Sequence, residues 1–277
     1  MDFLATIIEV KRKQLSASKR AIPLDDLRAS ANNVRSNSQP HRLIEALSND
    51  ERTNIIAEIK RASPSKGLIR GNVDPAALAR AYDAGGAAAI SILTEKDHFR
   101  GSLDDLRRVR QAVRLPLLRK DFIFDEYQVY ESAAAGADVV LLISAALEVD
   151  ALIRLRRVVE EELGMDALVE VHIAEEMRRA GECGAKLIGV NNRDLRTFIV
   201  SLETSVQLAH LAPHGAVLIS ESGIESGDDI RRLREFGYRG FLIGESLMRA
   251  DDPENTLRGF TQRREDAKGR GESRWSE

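Results

Sequence analysis

Cysteine is almost absent from this chain: Cys183 is the only one in 277 residues. A single thiol excludes an intrachain disulfide and a zinc centre built on clustered cysteines, and it accords with a reducing compartment. No secretory leader is expected, because the start MDFLATIIEVKRK has neither the basic first segment nor the apolar core of one. No apolar run approaches the ~20 residues of a membrane-spanning helix. Charge of either sign is not in surplus. Lys and Arg total 41, Asp and Glu 44, and a formal net charge of −3 supplies no bulk attraction to nucleic acid or anionic membrane. A soluble, cytoplasmic protein that binds neither is expected. Finally, no GxGxxG turn follows the first strand-like run, where RASPSKG stands instead. That argues against an open, doubly wound dinucleotide-binding sheet.

What the chain has in quantity is alternation. From residue 53 onward, short apolar runs are each followed by a polar loop and an amphipathic segment. The runs are NIIAEIK (54–60), AAAISIL (87–93), LPLLRK (115–120), DVVLLIS (138–144), ALVEV (167–171), KLIGVNN (186–192), AVLIS (216–220) and GFLIG (240–244). Helical segments are predicted to begin near Asp74, Ser102, Asp125, Glu148, Ile173, Glu203, Ser226 and Glu254. Continuous apolar strands alternating with helices mean a parallel sheet covered on both faces, and eight such units close a barrel of ~250 residues. A second periodicity agrees. Gly86, Gly136, Gly184 and Gly237 recur at intervals of 50, 48 and 53 residues, each just before an even-numbered strand. Glycine there ends a helix in the left-handed conformation and turns the chain back. The fold class is therefore α/β, a (β/α)8 TIM barrel over residues 51–262.

Residues 1–50 differ. Phe3, Leu4, Ile7, Ile8 and Leu15 recur at helical spacing, and Pro23 and Asp25 punctuate. Two or three amphipathic helices joined by a polar stretch from Asn32 to Pro40 are expected, forming a helical extension that packs on the barrel. Residues 263–277, polar and glycine-containing, read as a disordered tail in which Trp275 has no chemical part.

Active sites of such barrels lie at the C-terminal ends of the strands, so the residues there carry the chemistry. The first strand ends in Glu58 and Lys60, which share one face while Ile59 points to the helices. The third ends in Lys120 and Asp121. Glu170 lies in the fifth, Asn191, Asn192 and Arg193 at the end of the sixth, Ser220, Glu221 and Ser222 at the end of the seventh. Charges inside apolar strands are costly unless paired, and so many at one end point to a ligand. After the seventh and eighth strands the loops read SESGIES and IGESLM. Gly223 and Gly244 would let backbone amides approach an anion closely, at helix starts that favour negative charge. A phosphate site is expected there, closed by Lys60 or by the segment from Ser63 to Gly67. His172, two residues after Glu170, lacks further ligands at metal-binding spacing, so no metal is expected, and a supporting or loop-packing place is. His41, His98, His210 and His214 have no evident partner and are expected on the surface.

The segments EIKRASPSKG (58–67), SILTEKDHFRGS (91–102), LLRKDFIFDEYQVYES (117–132), LVEVH (168–172), IGVNNRDL (188–195), ISESGI (219–224) and FLIGESLM (241–248) together resemble the indole-3-glycerol phosphate synthase family of tryptophan biosynthesis. The resemblance implies a helical extension over the mouth, no cofactor, and one phosphorylated substrate, 1-(2-carboxyphenylamino)-1-deoxyribulose 5-phosphate. That substrate undergoes ring closure with loss of carbon dioxide and water. It implies Lys120 as general acid, Glu170 as general base, and Lys60, Glu58 and Asn191 as further catalytic residues. Ser63, Phe99, Phe122, Arg193, Glu221 and Ser222 would bind substrate, with Phe99 and Phe122 as apolar walls around its aromatic ring. Lys60, Gly223, Gly244 and Glu245 would hold its phosphate. Glutamate stands at 245 where some members carry serine, so only its amide is assigned and its carboxylate is expected to turn outward. A lysine acid would be more competent if its neighbours lowered its pKa. A monomer or weak homodimer is expected.

Alternatives from other classes are weaker. An isomerase acting one step earlier on a phosphorylated sugar would need a cysteine–aspartate pair, and Cys183 falls in a helix-to-strand turn at the wrong end of the barrel. A non-catalytic binding barrel should have lost some of the strand-end charges. A lyase releasing free indole uses another barrel's carboxylates, and RKDF speaks against it.

Overall fold

The structure, a computed structural model, describes residues 3–261; the polar tail and Trp275 lie outside them. Eight parallel strands form a closed barrel: β1 (Ile55–Ile59), β2 (Ala89–Leu93), β3 (Leu117–Lys120), β4 (Val139–Ile143), β5 (Asp166–Val171), β6 (Leu187–Asn191), β7 (Val217–Glu221) and β8 (Tyr238–Ile243). Each strand pairs with its sequence neighbours, and β1 closes the ring on β8 with Ile56 opposite Leu242. The period of two sorts the side chains. Ile56, Leu118, Val139, Leu141, Leu168, Leu187, Ile219 and Leu242 fill the interior. Ile55, Ile59, Ile90, Val140, Val169 and Ile188 face outward into the helix layer. Continuous apolar strands result because both faces are buried.

The outer layer holds α4 (Pro75–Ala84), α5 (Leu103–Ala112), α6 (Glu126–Ala134), α7 (Val149–Arg157), α8 (Ala174–Glu182), α9 (Glu203–Ala209), α10 (Gly227–Glu235) and, after β8, the short α11 (Glu245–Arg249) and α12 (Pro253–Thr261). Asp74, Ser102, Asp125 and Ser226 cap their helices with side-chain oxygens, as their positions predict. Gly86, Gly136, Gly184 and Gly237 have φ of 87°, 91°, 71° and 88°, the left-handed turn expected at a helix end.

The first three helices wrap the barrel from top to bottom. These are α1 (Phe3–Ala21), α2 (Leu24–Arg35) and α3 (Arg42–Leu47). α1 crosses the loops at the C-terminal ends of the strands: Lys11 pairs with Asp121 at 2.5 Å, Gln14 donates to Asp97 at 3.0 Å, and Lys19 reaches Asp125 at 2.8 Å. α2 packs on α6. α3 plugs the opposite end, where Leu43 and Leu47 join the interior cluster. Its first amides are satisfied from the barrel itself, since Asp166 at the base of β5 accepts from Leu43 N at 2.8 Å and Ile44 N at 3.3 Å. Asp138 ties the same end together, receiving Arg42 at 2.9 Å, Arg110 at 2.8 Å and Arg35 at 3.4 Å.

Several local expectations are corrected. Asn32 and Asn33 belong to α2, not to a linker, because the opposite face of that helix buries Leu27 and Ala31. Beyond β1, RASPSKG folds into a two-stranded antiparallel hairpin, Ala62–Ser63 with Gly67–Leu68. His41 is not a free surface group: its Nδ1 lies 3.1 Å from Asp166. His98 faces Glu95 and His210 stands edge-on to Phe236. Among the described residues no helix is long and apolar enough to cross a membrane.

Candidate active site

Inward-pointing residues one layer above the apolar interior carry the charge. Glu58 follows Ile56 on the inner face of β1, and Lys60 continues that face and pairs with Glu58. Across the mouth, Lys120 pairs with Glu221 of β7 and lies 3.5 Å from Glu170 of β5. Glu58, Glu170 and Glu221 are all essentially inaccessible. Glycine on β6 makes room for the glutamate of β7: a Cβ on Gly189 would collide with Glu221 Oε1 in its present position. Gly244 does the same for Glu58, whose Oε1 lies 2.5 Å from where its Cβ would be. Gly244 therefore has a further reason to lack a side chain. Its φ of −130° lies outside the left-handed region, and the missing side chain makes room for a carboxylate.

The cluster shifts its own ionisation. For Lys120, burial opposes the charge, but Glu221, Glu170 and Glu58 outweigh it and raise its pKa above the ordinary lysine value. This is opposite to the lowering that would favour a free-standing acid, and the cause is three carboxylates around one ammonium. Glu58 is lowered, burial being outweighed by Lys60 and Lys120. Glu170 is lowered as well, with burial overcome by Lys120, His172 and Asn191. Glu221 is pushed up to about 7, since burial and the nearby Glu170 and Glu58 exceed the pull of Lys120.

The remaining predicted residues are placed as follows. Asn191, within hydrogen-bonding reach of Glu170, accepts from Arg193 N at 3.0 Å. Arg193 turns its guanidinium to the Phe198 carbonyl at 3.2 Å, bracing the loop after β6. Phe99 and Phe122 stand with ring centroids 6.5 Å apart and form an apolar edge between the loops after β2 and β3. Ser222 adopts φ of 68° and Gly223 78°. Left-handed backbone costs a non-glycine residue about 1–2 kcal/mol. Its setting shows what holds it: Asn192 Nδ2 donates to the Ser222 carbonyl at 3.0 Å and to Ser220 Oγ at 3.0 Å. Ser63 sits apart from the charged cluster in the hairpin, accepting from Lys66 N at 3.3 Å. The Glu245 carboxylate reaches forward along α11 to Arg249 at 3.2 Å and sideways to Lys66 at 3.8 Å. Ser246 Oγ, in the first turn of α11, is buried without a hydrogen-bond partner among the described residues.

The partners of some strand-end residues were not evident in sequence. Asp121 accepts from Lys11, from Thr94 at 2.6 Å and from Arg119 at 3.1 Å. Its carboxyl is held down to about 2, burial being outweighed by Arg119 and Lys11. Arg119 also reaches Glu131 at 2.8 Å and Ser132 at 3.1 Å. The signal was there to read: an arginine at an outward position of an apolar strand needs a partner on the helix that follows. Glu95 accepts from the amides of Asp97, His98 and Phe99 at 2.9, 2.7 and 3.0 Å and so shapes the loop carrying Phe99. Among the described residues no group of three or more His, Cys, Asp and Glu side chains is placed to hold a metal ion. Cys183 is buried in the turn after α8, at the opposite end of the barrel from the charges.

A barrel that buries opposed charges at one end, with donors and acceptors in contact, is built to move protons on a small bound molecule: an acid–base enzyme of the (β/α)8 class. Comparison with known proteins narrows this. Residues 4–260 match the family model of indole-3-glycerol phosphate synthase, and the chain belongs to that family. Indole-3-glycerol phosphate synthase of Carboxydothermus hydrogenoformans is 48% identical over 261 residues, covering 92% of this chain and 98% of the relative. The protein of the same name from Koribacter versatilis is 54% identical over 204 residues, covering 74% and 78%. More distant solved structures share the fold alone. 3-Hexulose-6-phosphate synthase from Salmonella typhimurium superposes with a TM-score of 0.59 at 14% identity, over 75% of this chain and 96% of that one. Thiamine phosphate pyrophosphorylase from Pyrococcus furiosus gives 0.56 at 18% identity, over 75% and 93%.

Proposed function

We propose how the family's reaction runs on these residues. The activity is that of a carboxy-lyase of tryptophan biosynthesis, converting 1-(2-carboxyphenylamino)-1-deoxyribulose 5-phosphate to indole-3-glycerol phosphate. The observation that carries the reading is the convergence of Lys60, Lys120, Glu58, Glu170 and Glu221 at one mouth.

The ring carbon bearing the carboxylate is a weak nucleophile, so the ribulosyl carbonyl it attacks must be polarised. In this reading the carbonyl oxygen takes the place of Glu221 as the partner of Lys120. The ammonium then gives up a proton as the carbon–carbon bond forms and the oxygen becomes a hydroxyl. Separation from its carboxylates is what turns a lysine with a raised pKa into a donor. The carboxylate next leaves as carbon dioxide, its bonding electrons restoring the aromatic ring. Phe99 and Phe122 keep water from that ring, which favours loss of a charged group. The hydroxyl finally departs as water with a proton from a lysine, while Glu170 removes a proton from the adjacent carbon and the indole double bond forms. Glu58 orients Lys60, and Asn191 orients Glu170. Ser63, Arg193, Glu221 and Ser222 contact substrate. Lys60, the amides at Gly223 and Gly244, and the amide of Glu245 receive the phosphate, the last at the start of α11. Both ion pairs of the Glu245 carboxylate leave its charge compensated beside an anion.

To the same proposal belong the division into an extension (1–50), a barrel (51–262) and a tail (263–277), a cytoplasmic location, a monomer or weak homodimer, and no nucleic-acid or membrane partner. The test is direct. Purified chain supplied with the carboxyphenylamino substrate should raise indole fluorescence and release one carbon dioxide per product. No product at saturating substrate would remove the activity.

A further inference from the structure

Behind the base lies a pair of residues with no part in the scheme above. His172 follows β5 by one residue. Its Nε2 is 3.4 Å from Glu170 Oε1 and its Nδ1 is 3.1 Å from Glu176 Oε2 in the first turn of α8. Glu176 is also anchored to the backbone, accepting the His172 amide at 2.7 Å. One carboxylate oxygen therefore fixes both the ring and the main chain where the strand ends. The ring is 9% exposed and the Glu176 side chain 8%. Glu170 thus lies between two cationic groups in ion-pair contact without a geometric hydrogen bond to either, Oε1 facing His172 Nε2 at 3.4 Å and Oε2 facing Lys120 at 3.5 Å.

We infer that His172, itself aligned by Glu176, is a positioning residue that orients the Glu170 carboxylate and keeps it ionised while Lys120 is engaged with substrate. The inference rests on the reading of Glu170 as the general base. Its logic follows from the two contacts. When Lys120 turns to the substrate oxygen, Glu170 loses its cation on one side. His172 remains on the other, its two ring nitrogens facing two carboxylates, so the imidazolium is the favoured form. Burial opposes that charge, but Glu170 and Glu176 outweigh it and push the ring up to about 10. The base therefore keeps an ionic partner throughout the cycle. The charged groups facing Glu170 are Lys120 on β3, His172 just beyond its own strand, Glu58 on β1 and Glu221 on β7. Those facing His172 are Glu170 and, from α8, Glu176.

Three variants test this in the full-length protein by indole fluorescence across pH. His172→Asn removes both the charge and the reach to Glu170. It is expected to lower kcat about 10-fold, a fraction of what the base itself contributes, with KM little changed. The acidic limb of the kcat profile should rise by about one pH unit, as expected when a cation leaves a carboxylate. Glu176→Gln keeps an acceptor for the ring and the amide but removes the charge behind it, so it should move the limb in the same direction by less. Glu170→Gln, run alongside, should abolish turnover. If Glu170→Gln keeps near-normal kcat, the base assignment and the positioning role fall together. If Glu170→Gln is inactive while His172→Asn retains its kcat and pH limb, the positioning role alone is overturned. A fall in kcat matched by loss of folded protein, with the limb unmoved in the folded fraction, makes His172 purely structural and also overturns it.

Discussion

Gly189 offers the sharpest test of the packed charge cluster. It stands on β6 beside β7, and a methyl group there would lie 3.2 Å from the Glu221 carboxyl carbon, 3.3 Å from Leu168 Cδ1 and closer still to Glu221 Oε1. Its φ is outside the left-handed region, so alanine carries no backbone strain and the whole effect is steric. Glu221 is fully buried and paired with Lys120, so withdrawing its carboxylate from the methyl would disturb that pair. Overpacking of this kind costs about 1–3 kcal/mol. At roughly 2–4 °C per kcal/mol for a domain of this size, Gly189→Ala should lower Tm by about 2–12 °C, and kcat should fall with it. A double-mutant cycle with Glu221→Ala isolates the cause. Alanine at 221 vacates the space the methyl needs, so the pair should couple by about 1–2 kcal/mol. An unchanged Tm for Gly189→Ala, or strict additivity in the cycle, would refute the steric reading.

Other perturbations probe other levels. His172 titrates higher in the folded chain, up to about 10 against an ordinary 6.5, so the folded state binds the extra proton. The stability this contributes is complete below pH 6.5 and is lost as pH rises towards 10, by on the order of a few kcal/mol. Urea unfolding at stepped pH should show that decline, and His172→Asn should flatten it; equal slopes would contradict the assignment. Asp166→Ala leaves the Leu43 and Ile44 amides of the plug helix without their acceptor and should cost about 1–2 kcal/mol in thermal unfolding, with kcat unchanged in the folded fraction. Glu245→Ala removes a half-exposed carboxylate already paired with Arg249 and Lys66. Because such exposed pairs are worth about 0–1 kcal/mol, KM should change less than about fivefold. A tenfold tighter KM would mean that the carboxylate faces the phosphate.

How far the sequence could be read follows from the range of each interaction. Gly86, Gly136, Gly184 and Gly237 and the caps Asp74, Ser102, Asp125 and Ser226 act over a few residues, and they marked helix ends and starts correctly. Strand period placed Glu58, Lys60, Lys120, Glu170 and Glu221 at one end of the barrel before any pairing was known. What stayed hidden depends on partners far along the chain. Asp166 caps a helix over 120 residues away, and Lys11 binds Asp121 across the mouth. The extent of α2 was masked by Asn32 and Asn33, polar residues on the outer face of a helix held by tertiary packing. At Gly244 a second reason for glycine was out of reach, because only the folded barrel shows the Glu58 carboxylate filling the space beside it. The direction of the Lys120 shift was equally out of reach, since it depends on three carboxylates from three other strands.

The measurement that bears most directly on the mechanism is kcat for Lys120→Ala at saturating substrate, followed by indole fluorescence against the unaltered chain. A drop of at least ~100-fold, the size of an acid–base contribution, is predicted, with the protein still folded. Turnover within a few-fold of the unaltered chain would contradict Lys120 as the proton donor and, with it, the reading of the buried lysine–glutamate cluster as the catalytic machinery.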